Sequence, residues 1–167
     1  LPLADRKNDA KKISCEDANK KLKLPKFYVY YLARVQKFFL EILNIDETRF
    51  RFKELSDEEK PFYSKLHWDI ELNLDSIGWK EIGGVHYRTD HDIKGHESVS
   101  KQKQEIFYND RKFIPHVLEL SFGVDRILFS LIDLNMTEGK ERTFLMLPPT
   151  VAPITVAVFP LVNKDGL

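Results

Sequence analysis

Two segments with alternating apolar residues, joined by a short turn, restrict the fold of this chain most strongly. The first covers residues 67–74, where Trp68, Ile70 and Leu72 alternate with polar residues, and the second covers residues 79–87. The run DSIG lies between them and has the composition of a tight turn. A parallel crossover needs a dozen or more residues, so these strands must pair antiparallel. The sequence therefore predicts a hairpin at the centre of a sheet.

Weaker patterns predict the elements around this hairpin. Apolar residues at helical spacing indicate helices at residues 27–43 and 122–134. The other predicted segments are a charged region with a short helix or partial disorder (1–26), a strand (49–52), a helix start with a capping box (56–59), a polar segment with a short helix (88–98), a hairpin around Asn109 and Asp110 with arms 105–108 and 112–121, a polar loop (138–141), and strands at 143–147 and 151–162. No βαβ alternation and no glycine-rich phosphate loop occurs, so we expect an α+β fold, an antiparallel sheet with flanking helices.

Composition excludes several classes of protein. Lys and Arg together number 26, as do Asp and Glu, so bulk charge gives no argument for nucleic-acid binding, although a local basic patch remains open. Cys15 is the only cysteine, which excludes an internal disulfide and a Cys-rich zinc site and suits a reducing compartment. We find no signal peptide and no apolar run of about 18–20 residues, the length of a membrane span. We therefore expect a cytoplasmic protein with no membrane partner.

One octet, ELSFGVDR at residues 119–126, concentrates side chains that can carry chemistry. Glu119 and Ser121 fall at a predicted strand end, Gly123 permits close approach, and Arg126 begins the following helix. A helix N terminus and a fixed guanidinium both favour an anionic ligand. The same octet is also compatible with a buried strand that turns into a core helix.

Two carboxylates lie on otherwise apolar strands. Glu81 stands between Trp79 and Ile82, and Glu119 stands between Leu118 and Leu120. A carboxylate is costly to bury unless it meets a cation or hydrogen-bond donors, which an ammonium ligand or a divalent ion would supply. The alternative, that both carboxylates face solvent on a one-sided sheet, stays open.

A polar cluster follows the second strand. Asp90 or Asp92 can hold Arg88 in an ion pair. Metal-ligand residue types are present, but they lack a recognised zinc spacing, so a solvated helix start is the simpler interpretation. The residues in question are Asp90, His91, Asp92 and His96.

Three separated blocks resemble glycyl-tRNA synthetases, and they occur in the order found in that family. Residues 78–96 (GWKEIGGVHYRTDHDIKGH) resemble G-W-x-E followed by R-T-D-x-D-L-K-x-H. Residues 114–132 (IPHVLELSFGVDRILFSLI) resemble I-P-x-V-I-E-P-S-x-G-x-D-R, whose arginine belongs to the third signature motif of class II aminoacyl-tRNA synthetases. Residues 141–161 resemble the exit from the catalytic core. The resemblance implies a class II catalytic-core fragment at residues 1–149 and the start of an anticodon-binding domain at 150–167.

The resemblance also implies a reaction and a role for individual residues. Family members form glycyl-adenylate from glycine and ATP, and then transfer the glycyl group to tRNA(Gly). The implied roles are catalysis at the triphosphate by Arg126; ATP binding by Glu81, Ile82, Gly123, Val124, Asp125 and Arg126; glycine binding by Glu119, Leu120, Ser121, Phe122 and Gly123; support of the pocket by Arg88; and Mg²⁺ binding by Glu81 and Glu119. ATP and Mg²⁺ are the implied cofactors, and the parent enzyme is expected to be a homodimer.

The chain departs from the family pattern at several positions. Leu120 replaces a proline, Gly83 replaces a second acid of the bacterial members, and Tyr87 replaces an Asn or Asp. The first two class II motifs are absent, so we expect the isolated chain to be a poorly active or inactive piece of a longer enzyme. The alternatives are a non-catalytic synthetase-like accessory or nucleic-acid-binding subunit and an unrelated α+β binding domain. Retention of Arg126 together with Glu81, Glu119 and Ser121 favours the enzyme.

Overall fold

A computed structural model of the chain describes residue 2 and residues 10–161. The helices are Cys15–Lys20 (α1), Lys26–Lys37 (α2), His91–Ser100 (α3) and Val124–Asn135 (α4), and a π-helical turn, Phe38–Ile42, continues α2. The strands are Phe50–Glu54 (β1), Leu66–Leu74 (β2), Gly78–Thr89 (β3), Ile106–Tyr108 (β4), Arg111–Phe113 (β5), Val117–Phe122 (β6), Met136–Glu138 (β7) and Thr143–Leu145 (β8). The helices predicted at residues 27–43 and 122–134 are confirmed within a few residues.

Four strands form one antiparallel sheet in the order β1-β2-β3-β6. The predicted central hairpin is β2–β3, and Gly78 ends its turn at φ +67°, a backbone conformation that glycine adopts without strain. β4 pairs with β5, and β7 pairs with β8, in two separate hairpins. The α+β architecture with an antiparallel sheet is therefore confirmed.

The apolar core lies between this sheet and the helices. Tyr28 of α2 is fully buried and donates a hydrogen bond of 2.7 Å from its hydroxyl to the carbonyl oxygen of Val85 on β3. Ile70 and Phe39 are also fully buried, and Leu131 brings α4 into the same core. Burying one such large apolar side chain contributes about 1.5–3 kcal/mol to stability. The buried side chains of α2 therefore hold this helix against the sheet.

The predicted helix start at residues 56–59 is wrong. Ser56 donates its N–H to the Glu59 carboxylate at 2.9 Å, which is half of a capping box, and Lys60 N–H bonds to the Ser56 carbonyl at 3.0 Å. The chain forms one turn and then stops, because Pro61 disfavours helical backbone at the residue before it. A capping signature without a following apolar stripe therefore gives only a turn.

The hairpin predicted around Asn109 and Asp110 is confirmed, but its second arm is not one continuous strand. Both turn residues have positive φ, as a two-residue hairpin turn of the primed type requires. β5 ends at Phe113 and β6 begins at Val117, in a different sheet. Pro115 lies in the break and has no N–H to donate to a ladder, which explains why the strand is interrupted there.

The ends of the chain differ from the predictions. Helix α1 forms at Cys15–Lys20, whereas residues 3–9 of the predicted charged region lie outside the described residues. The strand predicted at residues 151–162 is wrong as far as the structure describes it, because residues 151–161 are turns and irregular chain, and Val162 lies outside the described residues. Within the described ranges, no helix is long and apolar enough to cross a membrane.

Candidate functional site

The central sheet has one apolar face and one polar face. On β2, Trp68, Ile70 and Leu72 enter the core, so by strand alternation the intervening side chains lie on the opposite face. The register aligns these residues with polar positions on the neighbouring strands. The polar face consists of Arg51, Lys53, His67, Asp69, Glu71, Glu81, Gly84, His86, Glu119 and Ser121. Both predicted carboxylates belong to it.

Glu119 is held by Arg88. Their side chains make a charged contact between Oε2 and Nη1 at 2.5 Å. The same guanidinium binds both oxygens of Asp92 at 2.6 and 2.7 Å and lies 4.0 Å from the ring centroid of Tyr63. The bond from Arg88 lowers the pKa of Asp92, so this carboxyl stays ionised. The predicted support by Arg88 therefore has a geometric basis, and Asp92 rather than Asp90 makes the ion pair.

Arg126 lies at the start of α4 beside Glu81. Its Nη1 is 3.3 Å from Oε1 of Glu81 and donates a bond of 3.1 Å to the Glu81 carbonyl oxygen. The Gly123 N–H donates to the Ile82 carbonyl oxygen at 3.0 Å, which ties the start of the helix to β3. Both charged side chains are more than half exposed, at 58% and 51%, so the ion pair contributes little and can yield to an incoming anion.

The Arg126 side chain packs closely over Gly123. A Cβ there would lie 3.0 Å from Cδ of Arg126. Val124 and Asp125 lie in the exposed first turn of α4, so three of the predicted ATP-binding residues directly precede Arg126 at the helix start. The structure thus brings Glu81 and Arg126 together, whereas the predicted ATP-binding side chain of Ile82 is buried in the apolar core.

Two predicted glycine-binding residues lie on the other face of the sheet. Phe122 contacts the rings of Phe38 and Phe39, and Leu120 packs against the core. Together with Tyr30, these side chains line a shallow groove of about 330 Å³ beside α2. Alternation along β6 separates them from Glu119 and Ser121, so their side chains take no part in the polar face.

The two predicted Mg²⁺ ligands do not share one ion. In the strand register Glu119 lies opposite His86, five residues along β3 from Glu81. Because β3 has a bulge at Ile82, this separation corresponds to four strand positions, roughly 13 Å at about 3.3 Å per residue. The described residues also contain no group of three or more His, Cys, Asp or Glu side chains that could hold a metal ion. Separate sites, each completed by ligand oxygens, remain predictions.

Buried titratable residues on the polar face were not predicted from the sequence. The imidazoles of His67 and His86 are in contact, with centroids 3.9 Å apart and planes tilted by 49°, and Nε2 of His67 lies 3.1 Å from Oδ1 of Asp69. A Cβ at Gly84 would lie 2.7 Å from Nε2 of His86, so glycine makes room for the two rings. The available signal was the alternation of polar residues at positions 67, 69 and 71, opposite the apolar ones.

The pKa of His86 is lowered, first by burial and then by the neighbouring charge of His67. Arg88 acts in the same direction, whereas Glu119 and Asp69 oppose it. Near pH 6.5 His86 therefore binds a proton more readily in the unfolded chain than in the folded chain. The stability that His86 contributes is complete above pH 6.5 and is lost as the pH falls below it.

We expect the unfolding free energy to decrease between pH 7.5 and pH 5.5, by at most about 1.4 kcal/mol per pH unit from this group. Urea unfolding at several pH values measures the slope. The variant His86→Gln removes the titrating group and should flatten the slope in this window. An equal slope in the variant and the parent chain would show that His86 is not responsible.

The comparisons with known proteins find relatives with one shared name. A glycine–tRNA ligase from Borrelia hermsii is 37% identical over 150 residues, which cover 84% of this chain and 34% of the relative. The glycine–tRNA ligase from Lachnoclostridium phytofermentans is 36% identical over 133 residues, covering 75% of this chain and 29% of the relative. That from Methanococcus vannielii is 27% identical over 219 aligned residues, covering 83% of this chain and 38% of the relative. No protein-family model matches the chain.

These relatives are aminoacyl-tRNA synthetases, which is the class of protein that this chain resembles. More narrowly, the resemblance to glycine–tRNA ligases seen in the sequence is confirmed over the matched region. It spans about a third of the length of the curated relatives that it matches.

Proposed function

We propose that this chain forms part of an enzyme that activates glycine with ATP and transfers the glycyl group to tRNA(Gly). The observation that carries this proposal is the placement of two charged centres on one sheet face. Glu119, held by Arg88, lies at one end of the polar face, and Arg126 lies beside Glu81 at the other. An amino acid with a positive ammonium and a nucleotide with negative phosphates match these two centres in sign.

Glycine would bind at Glu119 and Ser121. Arg88 occupies Oε2 of Glu119, and no partner of Oε1 is found among the described residues, so Oε1 can accept from the glycine ammonium. Arg88 and Asp92 fix the carboxylate in one position, which limits the conformational entropy lost on binding. The exposed hydroxyl of Ser121, next but one on the same strand, supplies a second polar contact.

ATP would bind along the first turn of α4. The backbone N–H groups at this helix start and the Arg126 guanidinium both favour phosphate oxygens. Glu81 offers a half-exposed carboxylate, a ligand type that Mg²⁺ prefers, and a bound Mg²⁺ would offset phosphate charge. The glycine carboxylate itself would attack the α-phosphorus and displace pyrophosphate, so the protein contributes positioning and charge neutralisation rather than a nucleophile.

The proposal is tested by amino-acid-dependent exchange of pyrophosphate into ATP, measured with the full-length protein. We expect exchange with glycine and much weaker exchange with alanine or serine at equal concentration. A properly folded protein that shows no exchange with any amino acid would favour the non-catalytic synthetase-like subunit instead. Exchange that prefers another amino acid would overturn the assignment of glycine.

A further inference from the structure

The β4–β5 hairpin exposes aromatic and basic side chains together. Tyr108 is 65% exposed and Phe113 is 44% exposed, although neither is at a chain end. Residues 101–113 contain four Lys or Arg and two Asp or Glu, so this segment carries a net charge of +2 in a chain whose formal charge is zero. Among the described elements, β4 and β5 pair only with each other, so the hairpin stands apart from the central sheet.

The strand register sorts these side chains onto two faces. Tyr108 pairs with Arg111, and Ile106 pairs with Phe113, so these four side chains share one face, which we call the tyrosine face. Phe107 pairs with Lys112 on the opposite face. Lys112 is neutralised there by an ion pair with Glu105. Arg111 has no ion pair within the described residues, so the tyrosine face combines two exposed aromatic rings with an unneutralised guanidinium.

We propose that the tyrosine face binds unpaired nucleotides at the 3′ end of the RNA substrate. Bases of any sequence stack on aromatic rings, and a guanidinium binds phosphate or stacks as well. The proposal rests on the function proposed above, because that function brings a single-stranded RNA terminus to the polar face.

The position of the hairpin suits this role. Phe113 and Glu119 lie six positions apart in the sequence, a distance of at most about 20 Å along an extended chain. The connecting segment is fixed at its base, because the Tyr87 hydroxyl and Nδ1 of His116 are hydrogen-bonded at 2.5 Å. On the N-terminal side, the hairpin is preceded by α3, which begins shortly after Arg88 and Thr89. The base of the hairpin is therefore tethered within about 20 Å of Glu119, the proposed glycine site.

Two double variants of the full-length protein test the proposal. The test variant, Tyr108→Ala/Arg111→Ala, removes an aromatic ring and a cation from the tyrosine face. The control, Phe107→Ala/Lys112→Ala, removes an aromatic ring and a cation from the opposite face, at the neighbouring cross-strand pair. Stacking contributes on the order of 1–3 kcal/mol per base. We therefore expect the first variant to raise the KM for tRNA in glycylation at least about tenfold, and the control to change it less than about threefold.

Two further measurements separate the possible failures. Pyrophosphate exchange needs no tRNA and should be unchanged in both variants, and the anisotropy of a labelled single-stranded RNA should report weaker binding only for the tyrosine-face variant. If the wild-type protein shows no glycine-dependent exchange, the proposed function fails rather than the hairpin site. If exchange is normal and the two variants have equal KM for tRNA, the hairpin proposal is overturned. Loss of thermal stability or of a dimer in the tyrosine-face variant, with KM unchanged, would show instead that this face packs against protein.

Discussion

Replacing Arg126 with alanine is expected to reduce glycine-dependent pyrophosphate exchange of the full-length protein by about 10²–10³, the effect of losing one preorganised group that stabilises transition-state charge. Arg126 is suited to this role because its guanidinium donates to the Glu81 carbonyl oxygen at 3.1 Å, while more than half of the side chain remains exposed and open to a phosphate. The loss should appear in kcat, since charge on the reacting phosphates develops in the transition state.

The same substitution should leave the fold intact. The Arg126–Glu81 pair is exposed, so its removal should change the unfolding free energy by less than about 1 kcal/mol. Arg142→Ala is a suitable control, because this exposed arginine lies in the β7–β8 turn, away from the polar face. Arg126→Lys should recover part of the rate through its charge but not the bidentate geometry. Exchange by Arg126→Ala within threefold of the Arg142→Ala control would contradict the role of Arg126.

Replacing Gly83 with alanine should destabilise the fold severely. A Cβ at this position would lie only 2.3 Å from the carbonyl oxygen of Ser121 and 3.3 Å from Cα of Phe122. The clash is with backbone, so rotation of a side chain cannot relieve it, and β6 would have to move away from β3. We expect a loss of about 3 kcal/mol or more in unfolding free energy, the upper end for overpacking.

Gly95→Ala provides a matched control for this prediction. Gly95 lies within α3, and nothing is within 4 Å of a Cβ built on it. Alanine should therefore stabilise the helix by about 0.5–1 kcal/mol. Denaturant unfolding of both variants measures the difference, and failure to recover folded Gly83→Ala beside normal recovery of Gly95→Ala also supports the account. An unfolding free energy for Gly83→Ala within 1 kcal/mol of the parent chain would show that β3 and β6 are not held this closely.

Local patterns predicted the parts of the fold that depend on neighbours in sequence. Alternation around Trp68 and Ile70 gave the central hairpin, and apolar spacing gave α2 and α4. The interruption between β5 and β6 was missed, because an apolar run around Pro115 resembles one strand until the pairing of β6 with β3 is known. Pairing between distant segments depends on tertiary packing, which a single-sequence pattern does not contain.

The candidate site was predicted in part for a similar reason. The sequence placed Glu81, Glu119 and Arg126 among the functional residues, and the structure brings the first and third into contact and puts both carboxylates on one face. The sequence did not distinguish the two faces of β6. Leu120 and Phe122 were therefore grouped with Glu119 and Ser121, which lie on the opposite face. The buried pair His67 and His86 was not predicted, because apolar alternation alone does not show that the polar residues between are also buried.

The amino-acid dependence of pyrophosphate exchange by the full-length protein tests the central claim most directly. The claim is that Glu119 and Ser121 of the polar face, together with Arg126 of α4, belong to a glycine-activating enzyme. We predict that exchange depends on glycine, is much weaker with alanine or serine at equal concentration, and falls about 10²–10³ in Arg126→Ala. Exchange that is absent, or that is independent of glycine, in a folded and otherwise intact protein would contradict it.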